Sequence, residues 1–169
     1  SARAVFAANQ AVREAAAESE AYQNMGTTLV AAVSYAGGTV VTNVGDSRAY
    51  HVTREGITRV TKDHSLVERM VDRGDITAEE ARRHPSRNLI TRALGPDADA
   101  QCDGYICPME SGEYLLLCTD GLVNTVTDQE MLFEVIHGAE PDTSLDRMLE
   151  IAKKQGAPDN VTAVLMRKL

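Results

Sequence analysis

The chain has 169 residues, of which 43% are hydrophobic and 25% charged, and its net charge is −8. That length and mixture are enough to bury a core in one domain and exclude a disordered chain. The acidic balance argues against nucleic acid or an anionic membrane surface as the main partner. The three cysteines, Cys102, Cys107 and Cys118, match no zinc spacing, and an odd number argues against a disulfide framework. No signal peptide or transmembrane stretch is visible, so the cysteines read as reduced thiols of a cytoplasmic protein.

In chain order, residues 2–22 are alanine-rich. Val5, Ala8, Val12, Ala15 and Ser19 recur at helical spacing, which predicts an amphipathic helix lying on a sheet. Met25-Gly26-Thr27-Thr28 breaks it, and residues 28–35, apolar on both faces, predict an interior strand. Gly37-Gly38 predicts a hairpin turn into a strand over 39–44. Gly45-Asp46-Ser47 interrupts that strand; 48–53 resumes it, and Glu55-Gly56 turns into 57–61. This front part reads as an antiparallel meander.

Ser65-Leu66-Val67-Glu68 and Thr77-Ala78-Glu79-Glu80 are capping-box patterns that open helices ending near Gly74 and near His84-Pro85. Strands follow at 101–107 and 113–119, joined by a turn at Glu110-Ser111-Gly112. A third box, Thr127-Asp128-Gln129-Glu130, opens a helix to about His137. Thr143-Ser144-Leu145-Asp146 opens another, running to Gln155 and stopped by Gly156. Residues 160–166 form the closing strand. Strands grouped first, then strands mixed with helices, predict an α+β protein with helix-covered sheets.

The chemistry gathers at two acids. Tyr114-Leu115-Leu116-Leu117-Cys118-Thr119 is a short apolar run ending in Asp120-Gly121, and Pro158-Asp159-Asn160 precedes the last apolar run. Carboxylates delivered at strand ends by a rigid core suggest a hard-metal site of oxygen ligands. Each has a plainer reading. Asp120-Gly121 is also a common turn in which the carboxylate caps Leu122 or Val123. Asp159-Asn160 can simply start a strand, and Asp46 can sit in a bulge. His64, before a capped helix, reads as a structural contact at the helix start; His84 reads as a loop residue and His51 lies mid-strand. No histidine stands at metal spacing, and neither a Gly-x-Ser-x-Gly elbow nor a phosphate-binding Gly-rich loop ending in Lys is present.

Taken in order, these strings resemble the protein phosphatase 2C family, the metal-dependent Ser/Thr phosphatases, bacterial type. The resemblance rests on Met25-Gly26-Thr27-Thr28, on Asn43-Val44-Gly45-Asp46-Ser47-Arg48-Ala49-Tyr50 and on Lys62-Asp63-His64-Ser65. It continues through His84-Pro85, Asn88-Leu89-Ile90-Thr91-Arg92-Ala93-Leu94-Gly95, Leu117-Cys118-Thr119-Asp120-Gly121-Leu122 and Asp159-Asn160-Val161-Thr162. It implies a single domain over 1–169, an antiparallel β-sandwich flanked by helices, with residues 65–95 as a helix and flap that influence substrate choice. It implies no protein nucleophile: two Mg2+ or Mn2+ ions share a water that attacks phosphorus in line. By resemblance, Asp120 and Asp159 are metal ligands and Asp46 helps hold a third, weaker metal. Asn160 and Gly121 support the site, and His84, Arg87 and Asn88 belong to the substrate flap. The implied partners are proteins phosphorylated on Ser or Thr.

The family also begins with strands before the first helix, carrying a phosphate-gripping arginine, a Glu-Asp pair and an Asp-Gly-x-Gly-Gly segment. The sequence, which starts Ser1-Ala2-Arg3, contains none of these. The expectation is an N-terminally truncated domain with half its metal ligands. Sheet edges left uncovered then favour a homodimer, by edge docking or element exchange. The alternative functions are a catalytically deficient, phosphatase-like binding or structural module that oligomerises, and an unrelated Ca2+-binding β-protein, which longer, more numerous oxygen contacts would reveal.

Overall fold

The computed structural model describes residues 2–35, 37–138 and 140–169. They form two compact units: the chain up to Val30 with Thr42–Asp46 and Lys62–Gly104, and then Ala31–Val41 with Ser47–Thr61 and Tyr105–Leu169. The elements are α1 (Ala2–Ala17), β1 (Leu29–Tyr35), β2 (Gly38–Val44), β3 (Arg48–Thr53), β4 (Gly56–Arg59), α2 (Leu66–Asp72), α3 (Ala78–Arg83), β5 (Asp103–Cys107), β6 (Tyr114–Cys118), α4 (Asp120–Val123), α5 (Asp128–His137), α6 (Pro141–Lys154) and β7 (Ala163–Arg167). The strands make a three-stranded sheet, ordered β1-β2-β5, and a four-stranded sheet, ordered β4-β3-β6-β7. The predicted α+β class with two antiparallel sheets and flanking helices is what the chain adopts.

The first unit is built on α1. Val5 is 3% exposed and packs with Val44 and Leu94, with Ala8 and Val12 beside them. The helix stops at Ala17, earlier than its alanine content predicts, because Ser19 turns its hydroxyl to the N–H of Ala21 and caps a separate 3-10 turn, Glu20–Tyr22. Asn9 ties the helix to the 94–98 loop: its amide donates to the carbonyls of Asp97 and Ala98, and its oxygen accepts from the Gly95 N–H.

The second unit holds the larger core. Tyr50, Val52, Leu116, Cys118, Leu122, Val126, Met131, Val135, Met148 and Ala152 form one buried cluster. Sheet residues thus meet the inward stripes of α5 and α6, and each large side chain so buried contributes about 1.5–3 kcal/mol. Within the sheet β3 and β6 are antiparallel, with Arg48 opposite Cys118 and Tyr50 opposite Leu116; β6 and β7 are antiparallel, with Cys118 opposite Ala163. On the neighbouring side of β3, His51 Nε2 meets Glu113 Oε2 at 2.8 Å.

Three expectations of arrangement are corrected. The front strands are not one meander: β2 belongs to the three-stranded sheet and β3 to the other, so the break at Gly45-Asp46-Ser47 marks a change of sheet. Likewise β5 and β6, expected as neighbours across the Glu110-Ser111-Gly112 turn, lie in different sheets. β1 is an edge strand, not an interior one, with Val33 63% and Tyr35 51% exposed. Its apolar faces belong to a strand that has only one neighbour among the described residues. The tip expected at Gly37-Gly38 adjoins Ala36, which lies outside the described residues.

The helix starts follow the predicted caps. Thr77 and Thr127 each form the full reciprocal box with Glu80 and Glu130, and the Ser65 hydroxyl accepts from the Glu68 N–H. The fourth start is displaced. α6 begins at Pro141, in the first turn where a missing N–H costs nothing, and Ser144 lies inside the helix, its hydroxyl donating to the Glu140 carbonyl. Thr127→Ala is expected to cost about 1 kcal/mol, because the Glu130 N–H at the start of α5 loses its acceptor and the Glu130 carboxylate loses the threonine hydroxyl. A urea melt of the variant with an unchanged midpoint contradicts that role for the box.

Candidate functional site

In the second unit the chain brings Asp120 and Asp159 together. β6 delivers Asp120 at its end, where Thr119 stands at the N-cap position of the short helix α4 with its hydroxyl turned to Thr162 instead of the helix. β7 begins just after Asp159, and the two strand ends are stitched beyond the regular ladder. The Thr119 N–H donates to the Thr162 carbonyl at 3.0 Å, and the Thr162 N–H donates to the Thr119 hydroxyl at 3.0 Å. Gly121 makes the closest approach: a Cβ there would run into the carbonyl oxygen of Asn160 and come within 3.0 Å of its carbonyl carbon. Only a glycine lets the Asp120 turn lie flat on the Asp159-Asn160 segment.

The electrostatics match this placement. Burial pushes the Asp120 carboxyl above its ordinary range and the neighbouring Asp159 charge pushes it further; the Gly121 N–H and the Arg48 guanidinium pull the other way. Asp159 is exposed, and its Oδ1 accepts from the Asn160 N–H at 2.7 Å. Asn160 therefore meets the site through its backbone: its N–H holds Asp159 and its carbonyl seats Gly121. Arg48, which sequence reading left as part of a string, lies opposite Cys118 and donates to the Tyr50 hydroxyl at 3.2 Å. Tyr50 is 1% exposed, and burial raises its phenol to about 12. Strand register brings Arg48 to the acid pair, and register is not written in the local sequence.

These two acids fit a hard cation. Their donors are oxygens only, they crowd negative charge at one place, and a divalent ion removes that charge. Mg2+ is commonly held by one or two carboxylates while keeping several waters. Among the described residues no group of three or more His, Cys, Asp and Glu stands close enough to hold a metal ion.

The remaining predicted residues lie in the first unit. Asp46 is half-buried in the bend that follows β2. His84 is half-buried at the end of α3, with its Nδ1 accepting from the Ser86 N–H, while Arg87 and Asn88 are exposed. His64, expected as a contact at the start of α2, does more. Its ring is 6% exposed; Nδ1 accepts from the Gly45 N–H at 3.1 Å, and Nε2 meets Asp103 Oδ2 at 3.0 Å. Arg92 donates to the other Asp103 oxygen at 2.9 Å. The only sequence signal for this cluster was a histidine beside a helix cap; its partners lie 19, 28 and 39 positions away.

The His64 bond, with Arg92 behind it, holds the Asp103 carboxyl below its ordinary value against a smaller push from burial. A carboxyl lowered by folding adds stability above its unfolded pKa, and that stability is lost as pH falls through the folded value. Asp103→Asn is therefore expected to flatten the acid limb of stability below about pH 4. Urea melts of both chains across that range test it, and parallel acid limbs would reject it.

The fold is an α+β one of two antiparallel sheets with flanking helices, and it carries Asp120 at the end of β6 and Asp159 ahead of β7. The chain belongs to the protein phosphatase 2C family, whose family model matches residues 2–166. It is 38% identical over 153 residues to a serine/threonine phosphatase stp of Listeria innocua, a match covering 90% of this chain and 61% of that protein. Its fold superposes with a TM-score of 0.93 on the serine/threonine phosphatase Stp1 from Staphylococcus aureus, at 34% identity, over 99% of this chain and 66% of the other. A second solved structure, the catalytic domain of the serine threonine protein phosphatase PstP in complex with two manganese ions, gives a TM-score of 0.82 at 36% identity, over 97% of this chain and 68% of that one. The chain thus spans about three fifths of the length of the curated relative.

Proposed function

We propose that the chain is a metal-dependent phosphoserine/phosphothreonine protein phosphatase domain of the cytoplasm, or its C-terminal portion, with residues 1–169 forming one domain. The observation that carries this reading is the seating of Asp120-Gly121 on Asp159-Asn160 in a chain that matches the family over residues 2–166. Asp120 and Asp159 would hold a Mg2+ or Mn2+ ion, and Asp46 would serve a further, weaker one. Such an ion supplies a lowered pKa to water and positive charge against the phosphoryl oxygens. The protein's part is positioning. α4 and the β6 end fix Asp120, the Asn160 N–H orients Asp159, and Arg48 tempers the charge on Asp120. His84, Arg87 and Asn88 would border the phosphoprotein.

Hydrolysis of p-nitrophenyl phosphate by the chain in millimolar Mn2+ tests the proposal. Metal-dependent turnover supports it. A folded chain that binds Mn2+ without turnover favours the second reading, a phosphatase-like binding module.

The proposed partners are phosphorylated proteins and a second copy of the chain. The outer strands β1 and β5 of the three-stranded sheet carry Val33 at 63%, Tyr35 at 51% and Ile106 at 78% exposure. Among the described residues each strand has a single neighbour, which leaves an edge open to strand pairing. No helix among the described residues is long and apolar enough to cross a membrane. Light scattering at micromolar concentration is expected to give twice the chain mass, and the mass of one chain would remove the dimer from the proposal.

A further inference from the structure

His64 uses every hydrogen-bonding group it has, two of them on Gly45 and one each on Thr91 and Asp103. Its backbone N–H donates to the Gly45 carbonyl at 2.9 Å, and its backbone carbonyl accepts from the Thr91 N–H at 2.7 Å. Its ring binds the Gly45 N–H through Nδ1 and Asp103 through Nε2. Because the Gly45 N–H can only donate, Nδ1 carries the lone pair and Nε2 the proton. That tautomer directs the Nε2–H at Asp103, whose other oxygen accepts from Arg92 at 2.9 Å, the same guanidinium nitrogen lying 3.2 Å from Nε2.

Gly45 is consequently gripped at both ends of its own backbone by one residue. Its carbonyl accepts a second bond, from the Asn43 amide at 3.2 Å, and that amide also reaches the Lys62 carbonyl. Gly45 has φ +104, a left-handed conformation, and a Cβ there would strike the Thr28 side chain. The next residue is Asp46. On the other side, His64 leads directly into the 65–95 segment. Ser65 bridges Ile90, the Leu66 N–H donates to the Leu89 carbonyl, and Thr91 is bound to His64 itself.

We infer that His64 is a positioning residue: the joint that holds the Asp46 bend and links it to the 65–95 segment, with its Nδ1 lone pair as the group that matters for the bend. The inference gives Asp46 a setting and rests on the phosphatase reading for its purpose, though its geometry stands alone. It follows that a shift in the 89–91 strand-like contact, felt at the His64 backbone carbonyl, reaches the Asp46 bend through the His64 backbone N–H and ring, so substrate lying on the flap and the acid in the bend answer to the same residue.

Two substitutions separate the ring's nitrogens. In His64→Asn the amide oxygen sits near the place of Nδ1 and can accept from Gly45; in His64→Gln the longer amide reaches toward Asp103 and leaves the Gly45 N–H without an acceptor. Amide hydrogen exchange of the metal-free chain, read residue by residue by NMR, is the measurement. Exchange at Gly45 and Asp46 is expected to speed up about tenfold in His64→Gln and to stay near the original in His64→Asn. A nitrogen-15 spectrum of the original chain is expected to show His64 with Nδ1 unprotonated.

Equal exchange in the two variants, or a protonated Nδ1, overturns the joint. Should His64→Gln fail to fold, Asp103→Asn replaces it: without the charged brace the ring is free to turn away from Gly45, and exchange at Thr91 and Gly45 is expected to speed up together. Loosening of Thr91 alone overturns the inference. Mn2+ added afterwards reports separately on the functional reading. Line broadening absent at Asp120 and Asp159 defeats the metal centre and leaves the exchange result intact.

Discussion

Asp120→Asn is expected to melt at a higher temperature than the original chain when no divalent ion is present, and at a lower one in millimolar Mn2+. The crossover follows from two opposite roles of one carboxylate. In the metal-free chain the charge on Asp120 is opposed first by burial and then by Asp159. An amide of the same shape removes both costs. In Mn2+ the original chain gains RT ln(1 + [Mn2+]/Kd), because the folded state alone brings the two strand-end acids together. The variant keeps one acid of the pair. If Asp120 touches the ion as proposed, its loss costs more than the 10–100-fold typical of outer-shell partners, so Mn2+ affinity is expected to fall by at least about 100-fold. Hydrolysis of p-nitrophenyl phosphate is expected to fall with it. A variant that gains stability with Mn2+ as fully as the original chain would show that the ion binds elsewhere. A variant less stable even without the ion would return Asp120 to the plainer role of a turn residue satisfying backbone donors.

How far these features were legible depended on distance along the chain. The boxes at Thr77 and Thr127 are complete within four residues, and both appear where the pattern put them. The apolar run into Asp120 and the Pro158-Asp159 pair were visible for the same reason: each is a local string at a strand end. What the local strings did not carry was partnership. Nothing in residues 38–53 states that Val44 and Arg48 belong to different sheets, because the turn between them is permitted by Gly45 at φ +104 while its direction is decided by His64, 19 positions on. The apolar content of β1 indicated burial, yet burial requires a neighbour, and β1 has one side open among the described residues.

The candidate site divides along the same line. Asp120 and Asp159 were read as a pair from their matching contexts, and β6–β7 pairing supplies the geometry. Arg48 escaped notice because its relation to Asp120 runs through the β3–β6 register. Asp103 and Arg92 escaped because a buried histidine's partners depend on the fold that surrounds it. Asn160 was expected to support the site; what its backbone does is donate to Asp159 and seat Gly121, contacts any residue could supply, and the restrictive position is Gly121.

Gly121→Ala is accordingly expected to be among the most damaging single-methyl changes available to this chain. The added Cβ meets backbone, the Asn160 carbonyl, with Val161 Cγ2 at 3.4 Å behind it. A flexible side chain could swing away, whereas this carbonyl belongs to a segment fixed by the Thr119–Thr162 bonds at 3.0 Å. Relief must come from parting the ends of β6 and β7, and overpacking of this kind costs roughly 1–3 kcal/mol. The same parting separates Asp120 from Asp159, so Mn2+ affinity is expected to fall together with stability although neither acid has changed. Gly56→Ala is the control in the same unit: its added Cβ meets nothing within 4 Å, and the change is expected to stay within about 0.5 kcal/mol. Urea melts of both variants, each followed by a Mn2+ titration, give the decision. Equal stability of the two alanine variants would mean that the strand ends yield freely and that the glycine is not what seats the acids. A stability loss confined to Gly121→Ala, with Mn2+ binding untouched, would separate the seat from the site and leave the acid pair without its proposed spacer.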